Sequence, residues 1–460
     1  MFNRRLFSKA PSSLARAQGI SLAVVALLAA RFLLLPAQTS AHHKDSSQAK
    51  AAPPTLDFSG TVATRDAARL HLITDTGSIV IHTHDAPSVD YRVHLEADSS
   101  VKDAARLLQG FALHAHAVED GVSLTGATTA HSATGRLWVT LDVTVPRNYS
   151  LDVSTDAGNI TADDLNGHQV LLTQGGNIMA GNINGSARLT AVAGGHISVK
   201  NVTGELVAET GGGHITTGAV GGNASLHTHG GHIRADSIAG VAHLDTDGGN
   251  ITLEHAGADL IAETAGGQIQ VGEAAGLVRA KTDGGGIRVV RSSGPADLQT
   301  ADGSIYLTQA DGSVKASTAT GGITAWIMSP AKGSGECELE SMKGDIVVYL
   351  ARSMPVTIDA QVQMGQTHGF IIDPAFPLEV HYDDAARGER VARAEGSLNG
   401  GGEVLRLRTV AGNIRFVLSD PGQQMQMYRQ QMEGMQKQLD DLQKSAFPSW
   451  QQDSVTPRQP

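Results

Sequence analysis

The stretch LHTHGGHIRADSIAGVAH, residues 226–243, runs directly into LDTDGGNITLEHAGADLI, residues 244–261. Each holds a leucine, a threonine two places on, a Gly-Gly pair, and an isoleucine seven places after the leucine. Followed outward, that isoleucine recurs as Ile160, Ile178, Ile197, Ile215, Ile233, Ile251, Ile269, Ile287, Ile305 and Ile323. The spacings are 18, 19 and then 18 seven times. A fixed period near 20 residues signals a solenoid, in which one coil cannot bury its apolar face until neighbours stack on it.

Positions counted from each marker isoleucine stay apolar from coil to coil. Seven before it stand Val153, Leu171, Ala208, Leu226, Leu244 or Ala262. Two after it stand Val199, Leu253, Val271, Val289 or Leu307, and five after it Leu165, Ile183, Val202, Val220 or Ile238. The alternation is period 2, so these are strands with one face inward. The expected fold is all-β: a parallel β-helix, or β-solenoid, with 18-residue coils. Right-handed crossover is the default for parallel strands. Stacking at ~4.8 Å per coil makes ten coils a rod of roughly 48 Å. Glycine recurs seven after the marker (Gly167, Gly185, Gly204, Gly222, Gly240). At these corners it is expected to supply positive φ.

The rest of the chain divides around this block. Residues 1–41 combine a basic start, an apolar run from Ile20 to Leu35 and a small-residue end at Thr39-Ser40-Ala41. That is the pattern of an export signal. Arg4-Arg5 leaves both general and twin-arginine export open. Retention as an anchor is the alternative, although Arg31 inside the run costs about 2.5–3.5 kcal/mol in a spanning helix. Residues 42–54 read as a linker, 55–150 as an N-terminal β cap and first coils, 151–348 as regular repeats, and 349–419 as irregular C-terminal coils. Val101 to Gln109 is a short helix candidate and Asp383 to Glu395 a charged loop. In 420–446, Met425, Tyr428, Met432, Met435, Leu439 and Leu442 recur at threes and fours. Such an amphipathic helix can join protomers into a homo-oligomer through 425–442 or cover the solenoid's open end. Residues 447–460 read as a disordered tail.

The net charge is −11, and the first 41 residues hold five basic groups and no acid, so without them it falls to −16. An acidic rod is a poor partner for nucleic acid. The one cysteine, Cys337, excludes an intramolecular disulfide and falls on an inward column.

Two runs carry a family resemblance. One is Val145-Pro146 followed by Leu151-Asp-Val-Ser-Thr-Asp-Ala-Gly-Asn-Ile160. The other is Gly396-Ser-Leu-Asn-Gly-Gly-Gly402 followed by Leu405-Arg-Leu-Arg-Thr-Val-Ala-Gly-Asn-Ile414. Both resemble the "putative bacterial adhesin" family of exported β-helical domains, over roughly 60–418. The resemblance implies an envelope location and a structural or surface role. It brings no catalytic residues.

The most specific constellation is a histidine column. His196, His214 and His232 each precede a marker isoleucine, with His227 and His229 on the strand before. Imidazoles ~4.8 Å apart are candidate metal ligands. The same column also holds Asn159, Asn177, Asn250 and Asn413, which reads as an outward polar ladder. A threonine column five before the marker (Thr210, Thr228, Thr246, Thr264, Thr282) is expected to face inward. The scattered acids Asp156, Asp247, Asp283 and Asp302 lack the fixed offset of a calcium-binding repeat. Between Leu151 and Ile323 the sole aromatic is Tyr306, which speaks against a sugar-cleaving cleft, and no nucleophile motif or phosphate loop is present.

The reading is therefore a non-catalytic exported protein of the periplasm, the periplasmic face of the inner membrane or the cell surface. It would bind an envelope or surface protein or glycan, without a cofactor. A membrane-tethered structural or regulatory protein is the alternative, and a glycan-active enzyme the third.

Overall fold

The structure is a computed structural model. It describes residues 53–98, 104–129, 136–328, 336–364, 371–384 and 390–420, with single positions at 426, 430, 433, 434 and 437. The expected signal or anchor at 1–41, the apolar stripe of 420–446 and the tail 447–460 lie outside the described residues. So does nearly all of the linker. Among the described residues, no helix is long and apolar enough to cross a membrane.

Among the described residues strands are nearly all of the regular secondary structure, and they form two long and mainly parallel sheets. One carries the marker isoleucines, paired Ile215 to Ile233, Ile233 to Ile251 and Ile251 to Ile269. The other carries the threonines, paired Leu226 to Leu244 to Ala262 and Thr228 to Thr246 to Thr264. Each residue therefore lies beside its equivalent one repeat on. A shorter third side pairs Leu165 with Ile183, then Ile183 with Val202 and Val202 with Val220. The ten marker isoleucines are each at most 1% exposed. Burying each contributes about 1.5–3 kcal/mol. Cys337 is buried in the same core, where burial pushes its thiol pKa up.

The threonine column does face inward, and its hydroxyls stitch the coils together. Thr246 Oγ1 donates to the carbonyl of Gly231 in the preceding coil at 2.9 Å and accepts from Gly249 N–H at 3.2 Å. Thr228, Thr264 and Thr282 repeat both bonds. Thr246→Val keeps the shape but removes the hydroxyl both groups use, at an expected cost of about 1–3 kcal/mol. Thr246→Ser should lose clearly less. Urea midpoints compare them, and equal losses would mean the methyl matters more than the hydroxyl.

The glycines act differently from the expectation. Gly167 and Gly185 do have positive φ, at 113° and 157°, but Gly204, Gly222, Gly240, Gly276, Gly294 and Gly312 do not lie in that region. Most are required by close approach instead. A Cβ on Gly294 would sit 2.4 Å from the Gly276 carbonyl oxygen, and one on Gly312 2.5 Å from that of Gly294. Backbone stacked on backbone leaves no room there for a side chain.

Both ends depart from sequential stacking. At the start, Ser78–His84 is followed in sequence by an excursion, and the chain returns to lay Ile160–Ala162 beside it. The excursion covers the other side: Leu137–Pro146 pairs parallel with Ser78–His84, then Ser88–Ala97 and Thr55–Ala63 add antiparallel. At the far end Cys337–Lys343 pairs with Val404–Ala411, and Val356–Met364 lies outside that strand. Arg390–Leu398 and Glu379–Asp384 then follow antiparallel. The expected charged loop at 383–395 is thus largely strand on both flanks. Antiparallel outer strands close the two ends of the parallel stack. The helix expected near 101–109 is seen as Ala104–Leu108, with Leu107 and Leu108 buried.

Candidate binding face

The histidine column sits in the turn that feeds each marker strand. Backbone amides hold it. His214 N–H donates to His196 Nδ1 at 2.9 Å, His232 N–H to His214 Nδ1 at 2.9 Å, and Asn250 N–H to His232 Nδ1 at 2.8 Å. The asparagines do the same with their carbonyl oxygens: Asn159 Oδ1 accepts from Asn177 N–H, Asn177 Oδ1 from His196 N–H, and Asn250 Oδ1 from Gln268 N–H, at 2.8–2.9 Å. The column is a ladder in which each side chain caps an amide of the next coil. An accepting Nδ1 fixes the neutral tautomer with its proton on Nε2.

The rings stack rather than converge. Centroids lie 4.9 Å apart for His196–His214 and 4.8 Å for His214–His232, with planes inclined by 21° and 9°. Zinc takes nitrogen at ~2.0–2.1 Å, and parallel rings with Nδ1 already engaged do not point three nitrogens at one ion. His227 and His229 are committed elsewhere, with Nδ1 2.9 Å from Asp245 and 2.9 Å from Asp247 respectively. Asp156, Asp247, Asp283 and Asp302 are all exposed. Among the described residues, no group of three or more His, Cys, Asp or Glu side chains is placed to hold a metal ion.

The ladder makes the middle coils acid-sensitive. Partial burial, then the neighbouring His232 and His196, lowers the His214 pKa. A folded pKa below the unfolded one gives stability that is present above the ordinary histidine value. It is lost as pH falls through that value toward the depressed one. Protonation also turns Nδ1 from acceptor to donor, aimed at an amide that is itself a donor. That exchange is worth about 1–3 kcal/mol, while repulsion across an exposed stack is screened. Arg234 beside the column adds positive charge, and its contact with Asp236 (3.6 Å) offsets part of it. On the threonine sheet Asp245 and Asp247 face His227 and His229. Between pH 7.5 and 5.5, the amide of His232, which His214 Nδ1 caps, should lose protection from hydrogen exchange, corrected for intrinsic rate. The asparagine-capped amides of Asn177 and Gln268 should not. A uniform loss would discard the mechanism. In the N-terminal cap His71 lies 2.9 Å from Asp120, His82 3.0 Å from Asp163 and His94 2.8 Å from Asp57. These contacts become ion pairs only on protonation.

Beyond Gln268 the ladder opens. Its next three positions are Gly286, Ser304 and Gly322, and beside the first of them a shallow depression of about 360 Å³ forms, lined by Gln268, Gln270, Gly286, Arg288, Ser304 and Tyr306. The Arg288 guanidinium carbon lies 5.3 Å from the centre of the Tyr306 ring, within cation–π range. Sequence reading noted Tyr306 only as an isolated aromatic. The usable signal was its place directly across from Arg288 and next to a ladder position emptied by glycine.

No family model matches the chain, and no curated protein matches it. Among solved structures it is similar to a "putative adhesin" from Bacteroides fragilis, at 11% identity and TM-score 0.26, over 56% of this chain and 99% of that one. It is also similar to a "putative cell adhesion protein" from Clostridium sporogenes, at 6% identity and TM-score 0.13, over 79% and 100%. A "putative lipid binding protein" from Parabacteroides distasonis matches at 11% identity and TM-score 0.18, over 78% and 96%. Likeness this low carries no argument about activity.

Proposed function

We propose that the chain is a non-catalytic, exported cell-envelope β-solenoid that uses the side of its coil stack as an adhesin-like binding surface. The supporting observation is the ladder. Side chains pinned by amides of the next coil give a flat, repeated surface that is already ordered, so a partner pays little to immobilise it. The partner is an envelope or surface protein or a glycan. Right-handed winding in 18-residue coils and oligomerisation through 425–442 belong to the same reading.

The apolar run Ile20 to Leu35 supports a second reading, a membrane-tethered structural or regulatory protein. Intact mass from fractionated native cells separates the two. Loss of about 41 residues in the soluble envelope or culture fraction fits the released binding rod, and full length in the membrane fraction fits the tether. Co-sedimentation of the labelled chain with washed envelopes tests binding itself, and no retention on any envelope would remove the binding reading.

A further inference from the structure

The ladder determines which atoms are left to face solvent. Each asparagine spends Oδ1, and each histidine Nδ1, on an amide of the next coil. What remains outward is Nδ2–H of Asn159, Asn177 and Asn250 and Nε2–H of the three histidines. All of these are donors. They repeat at the coil spacing, seen directly as 4.9 and 4.8 Å between stacked rings.

The surrounding charge agrees. Neither the residue before nor the residue after each marker isoleucine, from 159 to 324, is Asp or Glu, although the chain as a whole carries −11. The acids Asp163, Asp236 and Glu254 lie two places further along, and the exposed Asp156, Asp247, Asp283 and Asp302 lie in the turns before the ladder, so acids stand at both margins of the strip and not on it. At its end the depression adds the Arg288 guanidinium, two amide side chains (Gln268 and Gln270) and the Tyr306 ring.

We propose that this strip, from Asn159 to Tyr306, binds an extended acidic polysaccharide of the polyuronate type along the coil axis. The proposal rests on the binding-surface reading above and names the ligand class. Neutral N–H donors suit hydroxyl and ring oxygens, and Arg288 suits a carboxylate. A polyphosphate fits less well, because it is more densely charged than a polyuronate and has no hydroxyls for the neutral donors, while the chain carries −11 and the strip offers few cations.

The column itself supplies the test. Asp345 occupies a ladder position near the far end, where its Oδ1 accepts Asn413 N–H at 2.7 Å. Aspartate can therefore keep the ladder bond while replacing the outward donor with an anion. The full chain is titrated calorimetrically near neutral pH with polygalacturonate, with uncharged dextran and duplex DNA as controls, and thermal midpoints verify folding. The native chain should bind polygalacturonate and neither control. His214→Asn should stay within about threefold of native, whereas His214→Asp and Arg288→Gln should each lose about tenfold or more. The proposal is overturned if polygalacturonate does not bind, if His214→Asp binds as native does, or if DNA binds as well. Retention on envelopes without polygalacturonate binding would sink this proposal alone. Failure of both would also remove the reading it rests on.

Discussion

Gly249→Ala should cost about 3 kcal/mol or more, at the upper end of what overpacking does. The added Cβ would lie 1.9 Å from the carbonyl oxygen of Gly231 and 2.4 Å from its carbon. Both are backbone atoms of the coil beneath, so no side chain can swing away. The two coils must part, which strains the neighbouring strand pairing and the Thr246 bonds to Gly231 and Gly249. Gly248 is the control. A Cβ there meets only the Gly230 carbonyl oxygen, at 4.0 Å, and its φ is not left-handed. Gly248→Ala should therefore be neutral, or stabilising by about 0.4–1 kcal/mol through the unfolded chain. Urea unfolding of both variants gives the comparison. If they behave alike, glycine at this turn serves backbone freedom rather than close approach.

That comparison also marks where sequence reading stops. The period was legible because stacked coils force equivalent residues into equivalent surroundings, so Ile233, Ile251 and Ile269 repeat, as do Thr228, Thr246 and Thr264. The ladder was legible too, since Asn and His share one position before a strand, from Asn159 to Asn250, and both offer an acceptor that can cap an amide. The reason for each glycine was hidden, because composition does not separate a turn that needs positive φ from one that needs empty space. The strand pairing of the two ends was hidden for another reason. Alternation marks Leu137 to Val145 and Val356 to Val362 as strands, but a period-2 pattern does not name a partner. Their places were decided by which end of the core lay uncovered. The depression at Arg288 and Tyr306 depends on the side chain missing from Gly286, and a missing side chain leaves no motif.

Ile251→Ala is the complementary case, a cavity instead of a clash, with an expected cost of about 2–5 kcal/mol. Ile251 is fully buried, between Ile233 and Ile269 in its column, and those two are themselves at most 1% exposed. Collapse into the gap would have to shorten the distance between coils. Backbone hydrogen bonds such as Ile233 N–H to Asn250 O and Ile251 N–H to Gln268 O, both 2.9 Å, hold that distance. The site therefore relaxes little, which places it above the middle of the usual range. Ile251→Val, which removes one methyl, should cost only about 0.5–1.5 kcal/mol. A solenoid adds a second expectation, since its stability is close to a sum of coil and interface terms. Amide protection should fall most in the strands around Ile233–Ile238, Ile251–Ala256 and Ile269–Ala274. It should change least in Ser78–His84 and Ile346–Ala351, several coils away. An even loss along the whole chain would mean that the stack opens as one cooperative unit. A loss confined to the middle would show that neighbouring coils carry the stability, and that the face they present can be altered coil by coil.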